Sequence, residues 1–119
     1  MRIVSFTEAR NSLKSVLDAV VNDADTTVIY RVKYKVTIEK NGGGPQNVGF
    51  YISKGNNTSG KVSGSEAYVN IKNNQRITVS GEKIIQLNAY EAISVFSDTS
   101  NNHIQVLAEG TILNVEKIN

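Results

Sequence analysis

The only histidine in the chain, His103, follows Ser100-Asn101-Asn102 at the mouth of an apolar run. Histidine titrates near neutrality and is the first residue to consider for general acid–base work. No serine or carboxylate partner is identifiable by motif, and a solvated turn position accounts for it. Glu91, Asp98 and Glu109 would suit calcium if they met at one rim, because calcium takes several oxygen ligands. No Asp-x-Asp spacing is present and scattered loop carboxylates are the commoner arrangement, so no metal site is assigned. Gly42-Gly43-Gly44 has the flexibility of a phosphate loop but lacks the Gly-Lys-Ser/Thr and the helix that should follow, and it reads as a wide hairpin turn. Asn56-Asn57-Thr58-Ser59 holds overlapping glycosylation sequons that, without a secretion signal, are loop composition. The absence of cysteine excludes disulfides, thiolate catalysis and Cys-type zinc sites. With no nucleophile–base pair and no paired carboxylates, the residues point away from an enzyme and call for no cofactor.

Residues suited to binding are better represented. Arg31, Lys33 and Lys35 form a cationic stripe along one side of an alternating segment. Such a stripe meets an anionic glycan or phosphate, or protects a solvated strand from unwanted pairing. Tyr34, Tyr51, Tyr68 and Tyr90 are the notable aromatic set, since tyrosine joins an apolar body to a polar tip and is enriched at interfaces. Tyr34 lies in line with Val32 and Val36 and is assigned to the core. Tyr51, Tyr68 and Tyr90 remain interface candidates.

The elements that must position these residues are mainly strands. Tyr30, Val32, Tyr34, Val36 and Ile38 alternate with Arg31, Lys33, Lys35, Thr37 and Glu39, the pattern of a long strand with one wet side. Asn41 to Pro45 is expected to turn the chain through a hairpin into Val48, Phe50 and Ile52, with Gly49 marking a bulge. Lys54 to Ser65 reads as a loop, and Ala67, Val69 and Ile71 as a strand. Five further runs follow: Ile77 and Val79, Ile85 and Leu87, Ile93 and Val95, Ile104 and Val106, Leu113 and Val115. Turn clusters at Ser80-Gly81, Ser97–Asn102 and Gly110 separate several of them. Turns at this spacing indicate a sandwich or barrel. Ahead of these, Ser5 and Glu8 have capping-box spacing, and Phe6, Ala9, Leu13, Val16, Leu17 and Val20 recur at three and four residues. That spacing predicts an amphipathic helix ending near Val21, with Phe6, Leu13, Leu17 and Val20 packed on the β domain or on a neighbouring subunit.

The 119 residues suit one ordinary domain, and 39% hydrophobic and 20% charged residues argue against disorder. A net charge of +2 is too small to imply a polyanion partner. The first 29 residues carry three basic and four acidic side chains, and the remainder ten and seven, so neither part is a basic patch. No apolar run approaches the length of a membrane span, and the opening residues lack the order of a signal peptide.

Two resemblances join these observations. MRIVSFTEARNSLKSVLDAVVNDADTTVI resembles the N-terminus of a Phd/YefM-type antitoxin, a DNA-binding, toxin-neutralising protein, through Ser5, Glu8, Ala9, Arg10, Leu13 and the Val-Ile that follows. It implies that Arg10 and Lys14, one turn apart, contact DNA. After Ile29 the chain departs from that pattern. Residues 30–119 resemble the bacterial TNF-like jelly roll, the globular head of complement-type and collagen-like surface proteins. The matching residues are Tyr30-Arg31-Val32, Val48-Gly49-Phe50, Val79-Ser80-Gly81 ahead of Leu87, Asn88-Ala89-Tyr90-Glu91 ahead of Ile93-Ser94-Val95, and the closing Leu113-Asn114-Val115-Glu116-Lys117-Ile118. The strands that precede Tyr30 in a complete head are missing, so the chain looks like a fusion or chimera joined near Ile29–Tyr30.

The expectation is therefore a mainly β protein: an antiparallel jelly-roll-like sandwich of about eight strands preceded by one helix. Residues 1–29 form the antitoxin-like segment and 30–119 the sandwich. The TNF-like resemblance implies a non-enzymatic, self-associating head, trimeric, presenting a receptor or glycan surface and displayed on a bacterium or phage. The alternative is an antitoxin-type transcriptional repressor. DNA is not expected as a partner, because little of the antitoxin domain is present and the low charge offers little counterion release.

Overall fold

The computed structural model describes residues 15–20, 27–55, 58–88, 90–98 and 103–118, with backbone only at 15–20, 27 and 58. Its longest strands are β2 (Thr27–Lys40) and β7 (Ile104–Lys117), joined by β1 (Ser15–Val20), β3 (Gln46–Lys54), β4 (Ala67–Ile71), β5 (Arg76–Asn88) and β6 (Ala92–Ser97). A single 3₁₀ turn, Thr58–Gly60, sits in the β3–β4 connection. No helix among the described residues is long and apolar enough to cross a membrane.

The strands form two antiparallel sheets, ordered β1-β6-β3-β4 and β5-β2-β7. Their inner faces supply one core. Tyr30, Val32, Tyr34, Val36 and Ile38 of β2 are all buried, as the alternation requires, and meet Val48, Phe50, Ile52, Ile93 and Val95 from the other sheet. Leu87, Val106 and Val115 point into the same core. The arrangement is a jelly-roll sandwich, in which period-two burial closes each sheet onto the other.

The expected strand count changes because two inferred turns are not turns. Ser80-Gly81 lies inside β5, which stays paired with β2 from Arg76 to Asn88. Gly81 is there because a Cβ would overlap the Tyr34 phenol. Gly110 lies inside β7, where Ala108–Thr111 bulge against Val36 of β2 and break the register between Lys35 and Thr37. Gly110 has φ +80°, in the left-handed region that favours glycine. The Thr111 hydroxyl repairs the interrupted ladder, accepting from the Thr37 N–H at 2.9 Å and donating to the Leu107 carbonyl at 2.5 Å. Thr37, expected on the wet side, is consequently buried and also meets the Thr78 hydroxyl at 2.9 Å. Among the described residues, six strands rather than eight therefore lie between residues 27 and 117.

The expected hairpin at Asn41–Pro45 is a crossover instead. β2 and β3 lie in different sheets, so this segment carries the chain from one layer to the other. Lys40 ends β2 with its side chain buried and its ammonium donating to the Gly42 carbonyl, and Asn73 Oδ1 accepts from the Gly42 N–H at 2.5 Å. These contacts hold the crossover against the β4–β5 turn. Gly49 does not mark a bulge either, since β3 and β4 pair without a register shift.

The expected helix is overturned where it can be compared. Ser15–Val20 is strand β1, paired antiparallel with β6 from Ser15 opposite Phe96 to Val20 opposite Ala92. Leu17 and Val20 thus stand on a strand, not on a helical face. An isolated helix of such length is marginal in water, whereas β6 without β1 would present a row of open N–H and C=O groups. Pairing satisfies both at once. Residues 1–14, including Phe6, Arg10, Leu13 and Lys14, lie outside the described residues.

Candidate interaction surfaces

The outer face of the β5-β2-β7 sheet follows from its register. Cross-strand pairing aligns Ile84, Arg31 and Glu116 in one row, Glu82, Lys33 and Asn114 in the next, and Ser80, Lys35 and Ile112 in the third. Ile29 lies at one end of this face, and Ile118 docks beside it through a 3.1 Å bond from its N–H to the Ile29 carbonyl. Arg31 sits between two carboxylates, with Nε 3.3 Å from Glu82 and a terminal nitrogen 3.4 Å from Glu116. Lys33 and Lys35 are exposed and flank an open basin of about 540 Å³, whose lining also includes Ser80, Glu82, Ile112 and Asn114. Two members of the cationic stripe read in the sequence, Lys33 and Lys35, thus form one wall of a concavity. The isoleucines that border it were not recognised in the sequence, since each lies at a polar position of its own strand and they meet only across strands.

The outer face of the β1-β6-β3-β4 sheet has a different character. Gly49 stands between Tyr68 of β4 and Asp98, just beyond β6, and a Cβ on Gly49 would overlap both the ring and the carboxylate. Asp98 Oδ1 accepts from the Gly49 N–H at 3.0 Å, and the Asp98 N–H donates to the Gly49 carbonyl at the same distance. Tyr68 is 63% exposed, and the Asn70 amide donates to Asn47 at 3.0 Å one row further along. Aromatic platform, carboxylate and amides therefore lie together on one exposed patch.

Tyr51 is placed differently from Tyr68. It is buried, stacked on Phe96 with centroids 6.1 Å apart, and the Lys61 ammonium lies 4.9 Å from its ring centroid. Lys61 also pairs with Glu66 at 3.4 Å. The Glu66 carboxyl is held below its ordinary range, first by its own backbone N–H and then by the Gly64 N–H and Lys61. Tyr90 is exposed at 65% in the β5–β6 turn, with φ +62°. Tyr34 is fully within the core, as its place in the alternation requires. Its phenol donates to the Ser65 carbonyl at 2.8 Å, with the Phe50 carbonyl 3.2 Å away.

The residues weighed for catalysis or metal binding do not converge. Glu91 caps the β5–β6 turn by accepting from the Asn88 N–H at 2.9 Å, Asp98 serves Gly49, and Glu109 is exposed on the β7 bulge. No three His, Asp or Glu side chains among the described residues come together as metal ligands. The His103 Nδ1 lies 3.2 Å from the Asn41 carbonyl, so the ring packs on the crossover glycines.

No protein-family model matches the chain, and no curated protein matches it. Solved structures do resemble it. Eiger TNF from S. frugiperda superimposes with a TM-score of 0.65 at 9% identity, over 87% of this chain and 65% of that one. Murine APRIL, in its pH 5.0 structure, gives a TM-score of 0.63 at 16% identity, over 93% of this chain and 80% of that one. The same protein at pH 8.0 gives 0.61 at 16% identity, over 93% and 77%. The chain thus spans just under two thirds of Eiger TNF. At these identities the likeness is one of fold, a TNF-type jelly roll.

Proposed function

We propose that the protein is a non-enzymatic β-sandwich head that assembles, as a trimer, through the outer face of its β5-β2-β7 sheet. The observation that carries this reading is the gathering of exposed aliphatics. Of the six large hydrophobic side chains exposed among the described residues, Ile29, Ile84, Ile112 and Ile118 share this one sheet face. A scattered exposed isoleucine is ordinary, but four on one face mark a surface that is covered in the working state. The Arg31–Glu82–Glu116 group at its centre has the polar character that fixes register between copies. The TNF-type fold supports the trimer, since it is the arrangement that the resemblance to TNF-like heads implies.

Assembly on this sheet leaves the opposite sheet outward. Tyr68, with Asp98, Asn47 and Asn70 around it, is then the surface offered to a receptor or glycan. Tyrosine rings stack on sugar faces, and carboxylate and amide groups bond hydroxyls. Nothing among the described residues favours the repressor reading of Arg10 and Lys14.

Sedimentation of the full chain tests the proposal. A species of three 13.0 kDa chains that dissociates on Ile84→Asp, while Tyr68→Ala leaves its mass unchanged, is the expected result. A monomer at all concentrations, indifferent to Ile84→Asp, would refute the assembly face.

A further inference from the structure

We infer that assembly is linked to a small doubly charged oxyanion, of the phosphate or sulfate type, held in the basin between Lys33 and Lys35. This rests on the self-association reading above. The two carboxylates nearest the lysines, Glu82 and Glu116, are engaged by Arg31, at 3.3 and 3.4 Å, and Glu39 further along β2 pairs with Arg76 at 3.0 Å. Lys33 and Lys35 have no carboxylate partner among the described residues and line the same concavity. They are two residues apart on β2, so both ammoniums rise from one side of the sheet. A second, smaller recess of about 160 Å³ adjoins the first and shares Lys33 and Asn114 with it. The basin is lined by two ammoniums, the Ser80 hydroxyl, the Asn114 amide and one carboxylate, Glu82, whose charge is offset by Arg31 at 3.3 Å. The donors are a set that fits an anion with several acceptor oxygens.

Assembly makes the charge consequential. Ile84 and Ile112 flank these lysines, so covering the isoleucines also removes Lys33 and Lys35 from water. Burying an unpaired ammonium is costly, and symmetric assembly brings the same cations from each copy towards one another. A dianion in the basin turns that repulsion into attraction and supplies the acceptors the lysines lack. Free anion, rather than a charged polymer, fits a recess enclosed between copies. Because the anion binds the assembled state better, it must strengthen assembly by the same factor by which assembly strengthens its binding.

The test compares the full chain in chloride and in low-millimolar phosphate at matched ionic strength, by sedimentation velocity. Association is expected to strengthen about tenfold in phosphate, the ordinary size of such coupling. Lys33→Gln/Lys35→Gln should abolish the phosphate response and associate at least as well as the parent in chloride. That variant also separates site binding from general salting-out, which would persist in it. Equal association of the parent in both salts would overturn the inference and leave the assembly face standing. A parent that stays monomeric in both salts and is indifferent to Ile84→Asp would remove the assembly reading, and this inference with it.

Discussion

The phenol of Tyr34 occupies the space that a side chain on Gly81 would need, so a core residue of β2 dictates a glycine in the neighbouring strand β5. From there the hydroxyl reaches across the sandwich to the Ser65 carbonyl at 2.8 Å. Ser65 is itself buried, its hydroxyl accepting from the Ile52 N–H at 2.9 Å and donating to the Val62 carbonyl at 2.6 Å. One side chain therefore ties the β5-β2-β7 sheet to the loop that packs on β3.

Gly81→Ala should displace the Tyr34 ring and destabilise the protein by about 1–3 kcal/mol, the range for overpacking a core. Tyr34→Phe removes only the hydroxyl and strands the Ser65 carbonyl, for about 1–3 kcal/mol. Because both act on the same contact, the double variant should lose less than the sum of the two. Urea denaturation of the four proteins measures the coupling, and strict additivity would show that the two sites are independent.

The same phenol predicts a limit at high pH. Burial pushes its pKa well above the ordinary value near 10, with the Glu66 and Tyr68 charges adding to the effect. The neutral form is favoured in the fold, so this contribution to stability is intact below pH 10. It is lost as pH rises beyond that, where the unfolded phenol ionises first. Denaturation midpoints should fall above pH 10, less steeply in Tyr34→Phe than in the parent. Parallel curves for the two proteins would contradict the assignment.

The core prediction concerns Val95 and Val106, at 0% and 1% exposure on β6 and β7. Aspartate at either position places an unpaired charge between the sheets, at a cost of about 3–5 kcal/mol. Little or no folded protein is expected by circular dichroism, while Val95→Ala should fold with a lowered melting temperature. Wild-type melting of Val95→Asp would show the register to be wrong.

β1 should matter for solubility as much as for stability. Deleting residues 1–25 removes the strand that covers the β6 edge, and open strand edges pair with other chains. Light scattering should report aggregation of the truncated chain, or calorimetry a large drop in melting temperature. A truncated protein that remains dispersed and melts normally would show β1 to be dispensable.

The residues alone determined the inner face of the sandwich. Burial alternates along β2 from Tyr30 to Ile38, and Leu87, Val95, Val106 and Val115 all point inward, because a half-buried strand must place apolar side chains at every second position. The cationic stripe of Arg31, Lys33 and Lys35 was equally legible. Contacts between residues far apart in sequence were not. Gly81 has the local signature of a turn and is instead the hole that Tyr34 fills. Gly110 has the same signature and marks a bulge, closed by Thr111. Ser15 to Val20 satisfies a helical period, yet its backbone groups find better partners on the open edge of β6. The candidate surface is also tertiary in origin, since Ile84, Lys33, Lys35 and Ile112 become neighbours only when β5, β2 and β7 take their register. Local periodicity decides which side of each strand is apolar, but glycine placement, edge pairing and the assembled surface depend on which strands lie side by side.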